Sequence, residues 1–192
     1  MIGNKRIINF IYEAAVVKRL KRTGWQILGD NEESLGEHTF MTAVISYSLA
    51  KQLHADIGTV LTMAIFHDFH EGRTGDMDKI AQFYVKRDQG KANRDIFQGV
   101  DDDVIKTLEI YEHKKTLEAK IVYEANIIAL LVELKILMEK GNVHAKEWFD
   151  GNTQRLRLPL AKSLASELQK TSTQDWWKHI RKNIHEGFIA EG

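Results

Sequence analysis

The chain has 192 residues, 43% hydrophobic and 28% charged, enough for one domain with a sizeable core. Its 27 Lys and Arg balance 27 Asp and Glu, so no global field favours nucleic acid or an anionic membrane. Cysteine is absent, which excludes disulfides and thiolate metal sites and leaves His, carboxylate, amide and water as ligands for any metal.

The opening MIGNKRIINFIYEAAVV lacks an apolar core followed by a small-residue cleavage site, so no signal peptide is expected. No apolar run reaches the length of a membrane span, and the expected location is the cytosol. Pro159 is the single proline. Periodicity is helical nearly everywhere, and alternating β-branched runs are absent. An all-α fold follows: one domain over residues 1–192, with a core over about 15–150 and further helices over about 155–190.

In chain order, the first helix is expected over roughly residues 3–21. Lys18, Arg19, Lys21 and Arg22 then cluster and read as solvated surface. ESLGEH offers a capping box, with Ser34 as N-cap and Glu37 three residues on. The helix it opens, roughly 35–53, carries Phe40, Val44 and Tyr47 on an apolar stripe, with Met41 and Ile45 beside them and His38 in its first turn. A third helix, about 57–71, contains VLTMAIFHDFHE, and the glycines of GRTGD break it. A further helix is expected from about Asp76, followed by a polar region with Gly90 and Gly99. The acidic run Asp101 to Asp103 reads as solvated surface.

The longest helix runs from about Thr116 to Lys140, with Gly141 as its stop. Its second half is apolar nearly all round, as in a buried central helix. Asn126 and Glu133 interrupt that half within about 20° of each other. A buried polar residue costs energy unless partnered, so Asn126 needs a backbone group, a water or a metal. WFDGNTQRL and TQDWWKHIRKNIHEGF suggest later helices packed on the outside.

Chemistry concentrates in FHDFHEGRTGD, Phe66 to Asp76. His67 and Asp68 diverge by about 100° on a helix, yet both reach an ion beside it. A third ligand must come from elsewhere, and His38 at another helix end is the best candidate. Asn126 on the central helix is the candidate fourth. His70 pairs with His67 at i,i+3 as a second possible ligand pair. His54, His113, His144, His179 and His185 stand without such company and read as surface or packing residues.

Together GEH at 36–38, AIFHDFHEGRTGD at 64–76 and EAKIVYEANIIALL at 118–131 resemble the HD-domain metal-dependent phosphohydrolases. More narrowly, they resemble the branch of bacterial 5′-deoxynucleotidases and their eukaryotic relatives. The resemblance implies an all-α HD-domain helical bundle, frequently a homodimer, and a small-molecule nucleotide substrate. It implies one divalent ion, whether Co, Mn, Zn, Fe, Ni or Mg. His38, His67 and Asp68 match three metal ligands, and Glu71 matches the acid near the attacking water and the ester. Thr74 and Asp76 match positions that hold the sugar and phosphate region. RTGW at 22–25 resembles the family's Arg and Trp, with Arg22 on phosphate and Trp25 on the sugar or base.

The chain departs from that pattern at Asn126, where the family usually has Asp. Glu124 lies about 160° off around the axis and Glu133 about 10 Å along it, so neither takes over. With one carboxylate instead of two, weaker metal retention is expected. The leading reading is a phosphomonoesterase of deoxynucleoside 5′-monophosphates. Beside it stand a hydrolase of another nucleotide phosphoester, a catalytically weakened protein that binds a nucleotide or protein partner, and a helical interaction protein whose cluster is structural.

Overall fold

The computed structural model describes residues 3–29 and 32–190, the last six by backbone alone. Among them there is no strand; an isolated bridge pairs Lys21 with Ser34. No helix among them is long and apolar enough to cross a membrane.

Helix α1 (Asn4–Val17) stops short of the expected basic segment. Residues 20–22 instead run antiparallel to 33–35: Leu35 N–H donates to Leu20 O at 2.7 Å and Arg22 N–H to Glu33 O at 3.0 Å. The short α2 (Trp25–Leu28) lies between them. Gly36 allows the chains to meet, because a Cβ there would stand 2.9 Å from the Lys18 carbonyl oxygen, a backbone atom that cannot swing away. Helix α3 (Leu35–Leu53) opens with the expected capping box: Glu37 N–H donates to Ser34 Oγ at 3.2 Å, and Ser34 N–H to Glu37 Oε2 at 2.6 Å.

The orientation of α3 differs from its apolar stripe. Phe40, Val44 and Tyr47 are exposed, Phe40 by 67%. The inward face carries Leu35, His38, Thr42, Ser46 and Leu49 instead. Of this polar row, His38 is tied to the central helix and Thr42 Oγ1 lies 3.5 Å from its Nε2, while Ser46 Oγ has no hydrogen-bond partner.

Helix α4 (Ile57–Phe66) ends one residue before His67, short of the expected 71. His67 to His70 form a turn, and α5 (Glu71–Thr74) is a single helical turn closed by Gly75 at φ 74°. The helix expected from Asp76 reduces to α6 (Ala81–Tyr84). The polar region after it is helical. In α7 (Gln89–Phe97) the Asp88 side chain accepts from Lys91 N–H, and the buried face is Ala92, Asn93, Ile96 and Phe97. The acidic run opens α8 (Asp102–His113): Asp101 accepts from the Asp103 and Val104 N–H groups, and negative charge at a helix N-terminus is favourable.

Helix α9 (Leu117–Glu139) is the axis of the fold, capped by Thr116 and stopped at Gly141, φ 96°. It packs against α3, α4, α8, α10 (Ala145–Thr153) and α11 (Pro159–Lys170). Ile121, Val122, Ala125, Leu131 and Leu134 are fully buried along it. Burying one such side chain contributes roughly 1.5–3 kcal/mol. Glu124, also buried, accepts from Arg157 N–H at 2.9 Å and Leu158 N–H at 3.1 Å, holding the start of α11, which has no side-chain cap of its own. A second core is aromatic: Phe10, Phe66, Phe69 and Phe97 pack with centroids 5.2–6.2 Å apart. It anchors both flanks of His67 and Asp68. A 3-10 turn (Asp175–Trp177) and α12 (Lys178–Ala190) complete the chain.

Candidate metal centre

His38, His67 and Asp68 each bring a ligand atom to one place, all within 4.8 Å of one another. The His67 Nδ1–H donates to Ala64 O at 2.9 Å. A carbonyl only accepts, so Nδ1 carries a proton and Nε2 is the nitrogen left for a metal. Nε2 lies 3.1 Å from Asp68 Oδ2 but has no aligned hydrogen-bond partner. The two atoms face a common point rather than each other.

His38 Nε2 lies 3.1 Å from Asn126 Oδ1. Two donors bound at about 2.1 Å and at right angles stand about 3 Å apart, so both 3.1 Å pairs suit one ion. Burial, and then the Arg22 guanidinium, hold the His38 imidazole below its ordinary range, so it is neutral and able to ligate. Burial alone would raise the Asp68 carboxyl, but the His67 ring holds it far below the usual carboxylate range; Asp68 in turn raises His67 against burial. The donor set therefore fits a divalent ion, with Asn126 as a neutral fourth oxygen.

Behind His38 stands Glu33, whose carboxylate sequence reasoning passed over. Its Oε1 is 3.7 Å from His38 Nδ1. Its Oε2 accepts from Trp25 Nε1–H at 2.8 Å and lies 3.3 Å from Arg22 Nε. The Arg22 charge also reaches His67 and Asp68. Trp25 is only 3% exposed; it braces Glu33 and is not among the residues lining the adjoining cavity.

Glu71 is buried, three residues after Asp68. Arg87 Nη1–H donates to Glu71 Oε1 at 2.9 Å and to Gly75 O at 3.1 Å. Glu71 Oε2 has no hydrogen-bond partner. Burial, then the Asp68 and Asp76 carboxylates, push the Glu71 carboxyl up to about 9, Arg87 notwithstanding. Asp76 Oδ2 accepts from the Thr23 backbone N–H and from Thr23 Oγ1–H, the latter at 2.9 Å. Thr74 Oγ1 turns back 3.3 Å to His70 O. Both close the loop around Glu71 and are absent from the cavity lining.

A cavity of about 390 Å³ adjoins the centre, reached by His67, Asp68 and Asn126. His70, the second member of the possible His67–His70 pair, also lines it: both ring nitrogens are buried without partners, and burial pushes it down to about 4. Arg73 pairs with Glu13. Tyr111 stacks edge-on against His67 at 5.8 Å and lines the cavity together with Asn126. Lys79, Arg87, Lys114 and Arg155 complete a cationic wall. No local motif marks these residues, which come from separate stretches of chain.

Residues 14–169 match the family described as HD domain. A crystal structure of a Pyrococcus horikoshii OT3 protein is similar over 85% of this chain and 98% of its own, with 28% identity and a TM-score of 0.73. A conserved hypothetical protein from Pyrococcus furiosus is similar in fold over 85% and 99%, with 24% identity and a TM-score of 0.70. A predicted coding region from Archaeoglobus fulgidus shares the fold over 90% and 99%, with 21% identity and a TM-score of 0.58. No functionally curated protein matches the chain.

Proposed function

The chain belongs to the HD domain family, and from that premise we propose a metal-dependent phosphohydrolase that releases phosphate from a nucleoside 5′-monophosphate, the deoxynucleotide first. The observation that carries the reading is the meeting of His38, His67 and Asp68 within 4.8 Å, with Asn126 against His38, beside a cationic cavity.

A divalent ion held by His38, His67, Asp68 and Asn126 supplies Lewis acidity to a water and neutralises a phosphate oxygen. The chain's own groups do the rest. Ala64 O fixes the His67 tautomer, and Glu33 stands on the far side of the His38 ring. Arg22, whose charge reaches His67 and Asp68, holds the phosphate by charge-assisted hydrogen bonds. As the water oxygen bonds to phosphorus, the ester P–O bond breaks. Glu71, protonated at neutral pH because its carboxyl is pushed up to about 9, gives the Oε2 proton to the departing sugar oxygen and is restored by the proton that the attacking water loses. Trp25 acts by bracing Glu33, so a deoxy preference would need another wall; dAMP assayed against AMP tests it, and equal turnover removes it.

A hydrolase of another nucleotide phosphoester is the second reading, favoured by the cationic lining. The test measures metal in the purified protein, then phosphate release from nucleoside monophosphates with Co²⁺, Mn²⁺ or Zn²⁺. Turnover that Glu71→Ala abolishes supports the proposal. No metal and no turnover with any ion overturns it and favours a binding protein.

A further inference from the structure

Three of the cations around the cavity are in no ion pair among the described residues. Lys79 Nζ–H donates to Gln82 Oε1 at 3.0 Å. Arg155 donates to Asn152 Oδ1 at 2.7 Å and to the Tyr123 hydroxyl at 3.0 Å. Lys114 Nζ stands 5.1 Å from the Tyr123 ring centroid, and Arg155 Cζ is 5.6 Å from the same centroid. The carboxylates in the lining are Asp68, which belongs to the metal centre, and the exposed Glu112.

Gathering like charges without counterions is unfavourable; Lys79 and Arg155 are close enough to interact, and Lys114 and Arg155 meet the same Tyr123 ring. Lys79 is held below its ordinary range by burial, and then by the charges of Arg155 and Arg87. The backbone is also set unfavourably here. Lys114 caps α8 at φ 51°, ψ 32°, a left-handed conformation disfavoured for a residue with a Cβ. Strain of this kind persists where the surroundings impose it, often at ligand sites. Asn93, 6% exposed, lines the same cavity with Oδ1 buried and lacking a donor. A buried acceptor without a partner calls for an N–H or O–H from a ligand.

We propose that Lys79, Lys114 and Arg155 form a subsite for a second phosphoryl group, so that a nucleotide bearing two phosphates is preferred at the same site to one bearing a single phosphate. The inference rests on the phosphohydrolase reading for the first phosphate, at the histidines. The second phosphate is bound, not cleaved: the bond broken is at the phosphorus near His67, and its leaving oxygen takes the proton. Lysine and guanidinium donors match phosphate oxygens, and the Asn93 acceptor faces the nucleoside. The second phosphate has two sources, an anhydride-linked diphosphate or a separate ester at another hydroxyl.

The test uses the full chain as purified. Calorimetry with inorganic pyrophosphate against orthophosphate is expected to show about tenfold tighter binding of pyrophosphate, lost in Lys114→Gly and Arg155→Gln. Lys114→Gly suits the φ of 51°, so a lost effect is not a folding defect; an unchanged or raised Tm checks this. With Mn²⁺, the kcat/KM ratios of dADP to dAMP and of deoxyadenosine 3′,5′-bisphosphate to dAMP tell the sources apart. The ratio for the true substrate falls about tenfold in each variant. Pyrophosphate binding no tighter than orthophosphate overturns the proposal, as do ratios that neither variant moves, even where dAMP is hydrolysed and the phosphohydrolase reading stands. Pyrophosphate binding that depends on Lys114, in a protein that hydrolyses none of the three, upholds the subsite while the phosphohydrolase reading falls.

Discussion

On one side of His67 and Asp68 the charges answer one another. Glu33 gathers Trp25, Arg22 and His38, and backbone pairing of residues 20–22 with 33–35 holds the group together. On the other side Lys79, Lys114 and Arg155 are in no ion pair among the described residues, and His70 and Asn93 keep unpartnered buried atoms. The closed side reads as support for the metal centre, because Glu33 ties Trp25 and Arg22 together behind the His38 ring. The open side reads as binding surface, because its charges and lone pairs match a ligand rather than the protein. Glu71 joins the two: its proton is held on by the Asp68 and Asp76 charges, while Arg87 ties it to the cavity.

Breaking that junction is expected to have the largest effect. Glu71→Gln should lower turnover by about 10²- to 10⁴-fold while leaving metal content intact. The wild-type rate should fall as pH rises through about 9, where the proton leaves Glu71; the residual rate of the variant should not follow that fall. The stability sign is the converse. A folded pKa raised from 4.5 to about 9 gives stability that is present below 4.5 and lost as pH rises through 9. Glu71→Gln should therefore gain in Tm relative to wild type on the alkaline side.

Opening the closed side comes next. Glu33→Ala leaves the Trp25 N–H, the half-buried Arg22 and the His38 ring without their shared carboxylate, and should cost about 3–5 kcal/mol in denaturant unfolding. An unchanged midpoint would mean that the network is not scaffold. Asn126→Asp adds a negative charge at 3.1 Å from His38 Nε2 and should tighten metal binding on the order of tenfold, read by competition with a chelator. The smallest effect lies on the open side. Lys114→Gly relieves the φ of 51° and should raise stability by about 1 kcal/mol. Loss of phosphate affinity together with gained stability marks a residue kept for its ligand; loss of both would return Lys114 to the scaffold.

A last pH arm concerns His70. Its folded pKa, about 4 against an ordinary 6.5, makes its contribution to stability present above 6.5 and lost as pH falls through 4. The acid limb of the Tm profile should flatten in His70→Leu.

His38, His67, Asp68 and Glu71 were legible because their chemistry is local: a capped helix start and a short helix-end motif bring most of the donors by connectivity alone. The Ser34–Glu37 box, the Thr116 start and the Gly141 stop were legible for the same reason, since caps depend on a few adjacent residues. Asp101 to Asp103 carried a cap signal too, but the same residue types serve as solvated surface, and composition alone does not separate the two uses. The stripe of Phe40, Val44 and Tyr47 misled because periodicity reports that a helix has two faces, not which one is inward; His38, with Asn126 to meet, turned α3 the other way.

The all-α class was thus written into periodicity, and the candidate donors His38, His67 and Asp68, which the fold brings within 4.8 Å of one another, into short motifs. Which charges face one another was not. Glu33 meets Trp25 and Arg22 through a local antiparallel pairing, and Lys79, Arg87, Lys114 and Arg155 reach one cavity because α9 packs α8 and α10 around itself. Such meetings depend on packing between elements far apart in the chain, where burial and Coulomb forces act on distances in space rather than along the sequence.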